Sequence, residues 1–125
     1  MFSHITLGAD DIEEARTFYD ATLATLGVPA ASLDQHGRLV YATPAGRLLI
    51  TKPINGAPAS GANGGTVGFL AATPEAVDAW HAAGIAHGGT TCENPPGERV
   101  GSGLYLAYLR DPSGNKLCAL HKPAA

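Results

Sequence analysis

An internal repeat is the feature of this sequence that most restricts its fold. The segment FSHITLGADDIEEARTFY, from Phe2, and the segment GTVGFLAATPEAVDAWH, from Gly65, share one design. Each has a short apolar run, then a helix-start signal, then an amphipathic helix. Asp11 and Thr73 stand at the same place in the two copies, 62 positions apart. The chain is therefore expected to consist of two similar halves.

Each half carries the start and stop signals of one helix. These signals are a capping residue, an acid or a proline in the first turn, and a glycine at the end. In the first half they are Asp10 or Asp11, Glu13 or Glu14, and Gly27; in the second half they are Thr73, Pro74 and Gly84. The spacing predicts one helix of about three to four turns in each half.

Strand candidates follow each helix. They begin at Gly37 and Gly46 in the first half, and at Gly89, Leu104 and Asn115 in the second. The segment 54–64 is rich in Gly, Ala, Ser and Asn, a composition typical of a linker. We therefore expect a single domain over residues 1–125, with module one at 1–53, a linker at 54–64 and module two at 65–125. Each module is expected to be a βαβββ unit.

Composition narrows the class of protein. A chain of 125 residues can build its own core, and a net charge of −3 offers no basic surface for nucleic acid. No apolar run approaches 18 residues and no N-terminal signal pattern is visible, so we expect no membrane partner and a cytoplasmic location. Cys92 and Cys118 are expected to be free thiols. Abundant Gly and Ala suggest a bacterial source.

The segments SHITLGADDIEEARTFYDATLATLG, from Ser3, and YLAYLRDPSGNKLCALHKP, from Tyr105, resemble the vicinal oxygen chelate superfamily. This superfamily includes glyoxalase I, bleomycin-resistance proteins and extradiol dioxygenases, and DPSGNK looks like one of its hallmarks. The resemblance spans nearly the whole chain. It implies an α+β fold in which two βαβββ modules pair into a curled mixed sheet with an open cleft. It also implies a homodimer.

The resemblance extends to a metal site. In enzymes of the superfamily the cleft holds a divalent metal, with ligands from the first and last strands of each module. Carried onto this sequence, the four ligand positions are His4, Leu48, Thr66 and Cys118. Leucine has no donor atom and neutral threonine is a weak ligand, so we expect a degenerate site and no cofactor. A bound divalent metal is the alternative.

Strand alternation predicts which side chains face the cleft. Successive side chains point to opposite faces of a strand. If Ile5 and Leu7 pack under the first helix, His4 faces the cleft. If Phe69 packs under the second helix, Thr66 faces the cleft in the same way.

Further residues are candidates for ligand contacts beside Thr66 and Cys118, although Cys118 also suits a small buried apolar position. Tyr105 and Tyr108 lie on opposite faces of one strand, so at most one of them lines the cleft. Arg99 lies in the loop that begins at Cys92, and its planar guanidinium suits an anionic substrate group, with an exposed surface arginine as the alternative.

Three functions fit these residues. The first is a bleomycin-resistance-like protein that binds a small organic molecule in its cleft without metal. The second is a metal-free enzyme of lyase, isomerase or dioxygenase type, with His4 as its acid or base. The third is a metal-dependent enzyme of the same types. The sequence names no substrate for any of them.

Overall fold

The computed structural model describes residues 1–124 and has an α+β fold with two helices and two mixed sheets. The elements are β1 (His4–Gly8), α1 (Ile12–Ala24), β2 (Ser32–Leu33), β3 (Leu39–Thr43), β4 (Gly46–Thr51), β5 (Val67–Leu70), α2 (Pro74–Ala86), β6 (Thr90–Thr91), β7 (Gly97–Glu98), β8 (Tyr105–Arg110) and β9 (Lys116–His121). The predicted fold class is confirmed. No helix within residues 1–124 is long and apolar enough to cross a membrane.

Each module builds its own sheet. The first has the strand order β1-β4-β3-β2, and the second has the order β5-β9-β8-β6, with β7 paired to β8. In both sheets the first strand of the module pairs in parallel with the last, so β1 and β5 each keep one free edge. Strands β2 and β7 were not predicted from the sequence, because strands of two residues are too short to show alternation.

The helix starts agree with their signals, but one helix end does not. The side chain of Asp11 accepts a hydrogen bond from the backbone N–H of Glu14, and Thr73 caps α2 in the same way. Helix α2 was expected to stop at Gly84, yet it continues to Ala86. Gly84 is buried instead, and a Cβ atom there would lie 2.3 Å from Leu109 Cδ1. This glycine allows close packing of α2 on β8.

One hydrophobic core is shared by the two modules. Helices α1 and α2 pack against each other, and both sheets contribute apolar side chains to the same cluster. Its largest fully buried members come from both helices and both sheets: Phe18, Tyr19, Leu39, Tyr41, Ile50, Trp80, Leu109 and Leu117. The modules are therefore joined through their helices and core faces.

The DPSGN turn between β8 and β9 ties the modules together with buried polar groups. Asp111 is 4% exposed and accepts a hydrogen bond of 2.5 Å from the hydroxyl of Tyr19 on α1. Asn115 donates from Nδ2 to the carbonyl oxygen of Gly8 at 2.8 Å and to Asp111 at 2.8 Å. Burial, followed by the charge of Asp111 and the hydrogen bond to it, raises the pKa of Tyr19 well above its usual range. The turn is thus a structural joint.

The segment 54–64 is not a free linker. The backbone N–H of Ala59 donates a hydrogen bond to Asp10 Oδ1 at 2.7 Å. A Cβ atom at Gly61 would lie 2.5 Å from the carbonyl oxygen of Gly114, so the segment packs closely on the DPSGN turn. The predicted module boundaries stay a prediction.

Candidate functional site

His4 and Arg47 lie side by side on the outward face of the first sheet. In the β1–β4 pair His4 is the partner of Arg47, and Ile5 is the partner of Leu48. Paired residues point to the same face, so His4 and Arg47 face outward while Ile5 and Leu48 face the core. The alternation predicted for Ile5 and His4 is therefore observed. Leu48 is 7% exposed and belongs to the core cluster, although it also lines the cavity that His4 lines, so its predicted place at the site stays a prediction.

The outward face of the second sheet carries Cys118 and Tyr108. Cys118 is the partner of Gly68 in one direction and of Tyr108 in the other. Thr66 precedes Gly68 by two positions and is exposed. Tyr105 points to the opposite face, where its hydroxyl donates to Asp78 Oδ1 at 2.8 Å. Of the two candidate tyrosines, Tyr108 is therefore the one on the outward face.

The Cys118 thiol lies in a buried place that disfavours its thiolate form. Its residue is 8% exposed, and burial raises the pKa of the thiol above its ordinary value even though Lys116 acts in the opposite direction. The thiolate is the reactive and metal-binding form, so a raised pKa keeps the sulfur protonated near neutral pH. A Cβ atom at Gly68 would lie 3.1 Å from the Cys118 sulfur, so this glycine leaves room for the thiol.

Arg99 is occupied by its own loop. Its Nη1 donates to the carbonyl oxygens of Pro95 at 2.8 Å and Gly97 at 3.2 Å, and its Nη2 donates to that of Asn94 at 3.1 Å. These bonds hold the 92–103 loop in shape and leave few donors for a ligand. The prediction that Arg99 binds an anionic group stays untested, and the observed contacts favour a structural role.

Tyr108 lies between two cations at the base of this loop. The guanidinium carbon of Arg99 lies 5.9 Å from the ring centroid, and the Lys116 ammonium lies 5.3 Å from it. Both distances fit cation–π contacts. Glu93 forms an ion pair with Lys116, and the hydrogen bond to Glu93 raises the pKa of Lys116. The loop is thereby fastened to the second sheet next to Tyr108.

A cavity of about 440 Å³ lies between the free edges of β1 and β5. Its walls are mainly apolar. They include Leu23 at the end of α1, Leu26 just after α1, and Val67 and Phe69 from β5. Phe2 and Leu70 flank it and are 71% and 79% exposed. The cavity therefore joins an apolar interior to two exposed apolar side chains.

His4 and Arg47 supply the main polar groups of this cavity. Both line it, and the Nδ1 atom of His4 lies 2.8 Å from the Ser3 hydroxyl oxygen. Strand alternation places Phe2, His4 and Leu70 on the cleft side, but no pattern in the sequence indicated Arg47 as a site residue. Arg47 shows no signal of its own, because only the β1–β4 register places it beside His4.

Comparison with known proteins agrees with this architecture. The family model of the Glyoxalase/Bleomycin resistance protein/Dioxygenase superfamily matches residues 1–119. The chain belongs to this superfamily. The search of curated proteins found no match.

Solved structures of the superfamily resemble this chain over nearly its whole length. A glyoxalase/bleomycin resistance protein from Albidiferax ferrireducens T118 is 57% identical, with a TM-score of 0.93 and 98% of each chain covered. A lactoylglutathione lyase from Agrobacterium tumefaciens is 26% identical, with a TM-score of 0.68 and coverage of 97% of this chain and 92% of that one. A glyoxalase/bleomycin resistance protein/dioxygenase family enzyme from Burkholderia phytofirmans PsJN is 21% identical, with a TM-score of 0.74. The match covers 95% of this chain and 96% of that one.

The metal implied by the superfamily does not fit the donors of this chain. Within residues 1–124, no three His, Cys, Asp or Glu residues are grouped so that they could hold a metal ion. At the four expected positions stand one imidazole, one neutral hydroxyl, one buried thiol, and Leu48, which has no donor atom. Divalent metals need several strong donors at one place. We derive no chemistry through a metal here.

Metal content is a direct prediction from this donor set. Untagged purified protein is expected to carry well under one equivalent of Ni, Zn, Fe or Mn, measured by elemental analysis after dialysis without chelator. The His4→Ala variant is expected to carry the same trace amount. A stoichiometric metal that EDTA removes from the wild-type protein and that the His4→Ala variant lacks would contradict this prediction.

Proposed function

We propose that this superfamily member binds a small, mainly apolar organic molecule in the cavity between β1 and β5. The cavity itself carries the proposal. Its volume of about 440 Å³ lies in the range of small-molecule pockets, and apolar walls with a few placed polar groups are typical of such sites. His4 and Arg47 are those polar groups. The Albidiferax ferrireducens relative, which is 57% identical, is named a glyoxalase/bleomycin resistance protein, and this name is compatible with small-molecule binding.

Binding of a neutral apolar dye tests this function. Nile red is expected to bind the wild-type protein with an increase in fluorescence, because the cavity removes it from water. Leu26→Trp places a larger side chain on the cavity wall and is expected to weaken binding at least tenfold. Leu33→Trp is the matched control, since Leu33 is 53% exposed on β2 and does not line the cavity.

The comparison of dye binding by the two tryptophan variants can support or contradict the proposal. Equal loss of dye binding in both tryptophan variants would point to general surface adsorption and contradict the proposal. Circular dichroism of each variant checks that the fold is retained. Weaker binding in Leu26→Trp alone would place the dye in the cavity.

Acid–base catalysis at His4 is the second candidate function. The specific observation is the Ser3 hydroxyl, which lies 2.8 Å from Nδ1 and orients the ring, while Nε2 makes no hydrogen bond within residues 1–124. A histidine held in this way can accept or donate a proton at Nε2. The lactoylglutathione lyase name of one relative supplies a first reaction to assay, with His4→Gln as the control. Turnover in the wild-type protein that His4→Gln abolishes would favour this candidate.

A homodimer is part of the proposal. Phe2 and Leu70 are strongly exposed at the free edges of both sheets, and the outer face of α2 exposes several alanines and Ile85. Apolar surface and unpaired strand edges of this kind are usually covered by another chain. Twofold symmetry is the commonest closed arrangement of identical chains.

A cytoplasmic location of the protein stays a prediction.

Light scattering at micromolar concentration tests the dimer. A mass of about 25 kDa is expected, twice the 12.7 kDa of one chain. Leu70→Glu is expected to shift the mass toward that of a monomer, because it places a charge on the exposed apolar edge. Glu13→Gln, at an exposed position of α1, provides a surface control. A wild-type mass of one chain would contradict the dimer.

A further inference from the structure

We infer that the ligand of the β1–β5 cavity is an organic acid, with its anionic group held by Arg47 and His4 and its apolar part inside the cavity. This inference rests on the proposed function, since it assigns the chemical class of the ligand for the same site. It follows from the charges at the mouth of the cavity rather than from the volume of the cavity.

The side chain of Arg47, which is exposed on β4, lies at the cavity and has no hydrogen-bond or ion-pair partner within residues 1–124. By contrast, Arg16, Arg38 and Lys116 each pair with an acid in that range. A guanidinium presents five donors in a planar fork that matches the two oxygens of a carboxylate. Arg47 therefore brings both charge and directed donors to the mouth of the cavity.

His4 adds a second donor directed to the same place. It is the register partner of Arg47, so the two side chains lie on adjacent strands and the same face. When Nδ1 accepts the hydrogen bond of the Ser3 hydroxyl, the proton of the neutral ring is on Nε2. The ring can then donate to an anion without first gaining a proton.

The cavity holds no acid to oppose an anion. The chain has 11 acidic and 8 basic residues, and its net charge is −3. Yet within residues 1–124 no Asp or Glu lines the cavity, and the ionisable side chains that line it there are His4, Arg47 and the Tyr41 phenol. Burial and the hydrogen bond to Asp20 raise the pKa of Tyr41, so the phenol stays neutral. The local field therefore favours an anion in a chain that is acidic as a whole.

The apolar walls make the rest of the ligand apolar. Leu23, Val67 and Phe69 offer no polar side-chain atom to a ligand inside the cavity. A small polar anion such as acetate would satisfy Arg47 and leave the interior unfilled. An acid with an aromatic or aliphatic tail matches both parts of the site.

Displacement of Nile red by three probes of one shape tests the inference. The probes are 4-phenylbutyrate, 4-phenylbutan-1-ol and 4-phenylbutylamine, used at pH 8 and low salt. The acid is expected to bind at least about tenfold more tightly than the alcohol, and the amine is expected to bind most weakly. Arg47→Gln is expected to weaken binding of the acid so that its preference over the alcohol falls to within about threefold.

Matched variants separate charge from folding. Arg38→Gln removes an equal charge outside the cavity and is expected to keep the preference, whereas Arg47→Lys is expected to keep part of it. Equal binding of the acid and the alcohol by the wild-type protein, or a preference that survives Arg47→Gln, would overturn the inference while Nile red binding still supports the proposed function. Failure of Nile red itself to bind would overturn both.

Discussion

Replacing Asp111 with alanine is expected to lower the free energy of unfolding by about 3–5 kcal/mol. Asp111 is 4% exposed and accepts four hydrogen bonds: from the Tyr19 hydroxyl, the Asn115 side chain, and the backbone N–H groups of Ser113 and Asn115. Alanine would leave these donors without a partner in a buried place. Each such loss costs more than a solvent-exposed hydrogen bond.

The expected loss of stability is larger because Asp111 links its own turn to other elements of the fold. Through Tyr19 and Asn115 it joins the β8–β9 turn of module two to α1 and to Gly8 of module one. Loss of the carboxylate therefore weakens the contact between the modules as well as the turn. Urea denaturation followed by circular dichroism, at one protein concentration, measures the change in unfolding free energy.

Asp34→Ala is the matched control for Asp111→Ala. Asp34 also accepts backbone N–H groups of its own turn, from His36 and Arg38, but it lies at the surface and joins no second element. Its loss is expected to be a small fraction of that for Asp111. Similar losses for the two variants would show that local turn bonds, rather than the link between modules, give Asp111 its importance.

Tyr19 adds a pH dependence to the same joint. Burial and Asp111 raise the pKa of Tyr19 well above that of an unfolded tyrosine, which is about 10. A group with a raised pKa in the folded state stabilises the fold below its unfolded pKa, and this stability is lost as the pH rises. We therefore expect the free energy of unfolding to fall above about pH 10, less steeply in Tyr19→Phe. An equal slope in both proteins would contradict this role of Tyr19.

Trp80→Ala is the second change with a large expected effect, about 3–5 kcal/mol. Trp80 on α2 is fully buried in the shared core, and its ring centroid lies 6.4 Å from that of Phe69. Truncation removes apolar contacts and leaves a cavity that the two helices cannot fill. Urea denaturation measures this loss as well.

Comparison with two other variants makes this prediction specific. Trp80 Nε1 is buried with no hydrogen-bond partner among the protein groups of residues 1–124, so Trp80→Phe removes volume and also an unpaired donor. We expect it to cost less than about 1.5 kcal/mol. Phe69→Ala is expected to cost about 1–3 kcal/mol, since Phe69 is only partly buried and borders the cavity. A loss in Phe69→Ala as large as in Trp80→Ala would contradict this order.

Short-range sequence patterns were sufficient to predict much of the fold. The caps Asp11 and Thr73 start their helices where expected, because a capping side chain bonds N–H groups only two or three residues away. Alternation placed His4 and Ile5 on the correct faces, because a strand's faces follow from its own residues. The repeat therefore determined two modules, their helices and the outward position of His4.

The site depended on contacts that no local pattern contains. Arg47, and not Leu48, is the strand partner of His4, because the register between β1 and β4 is set by packing across more than 40 residues of chain. Gly84 resembled a helix stop, but its role comes from Leu109 on a distant strand. The hydrogen bonds from Arg99 to carbonyl oxygens of its own loop were likewise absent from any local pattern, and its predicted role as a ligand contact stays a prediction. The sequence by itself determined which face each strand residue takes, and only the tertiary structure decided which of those residues meet, because pairing between distant segments depends on the whole core.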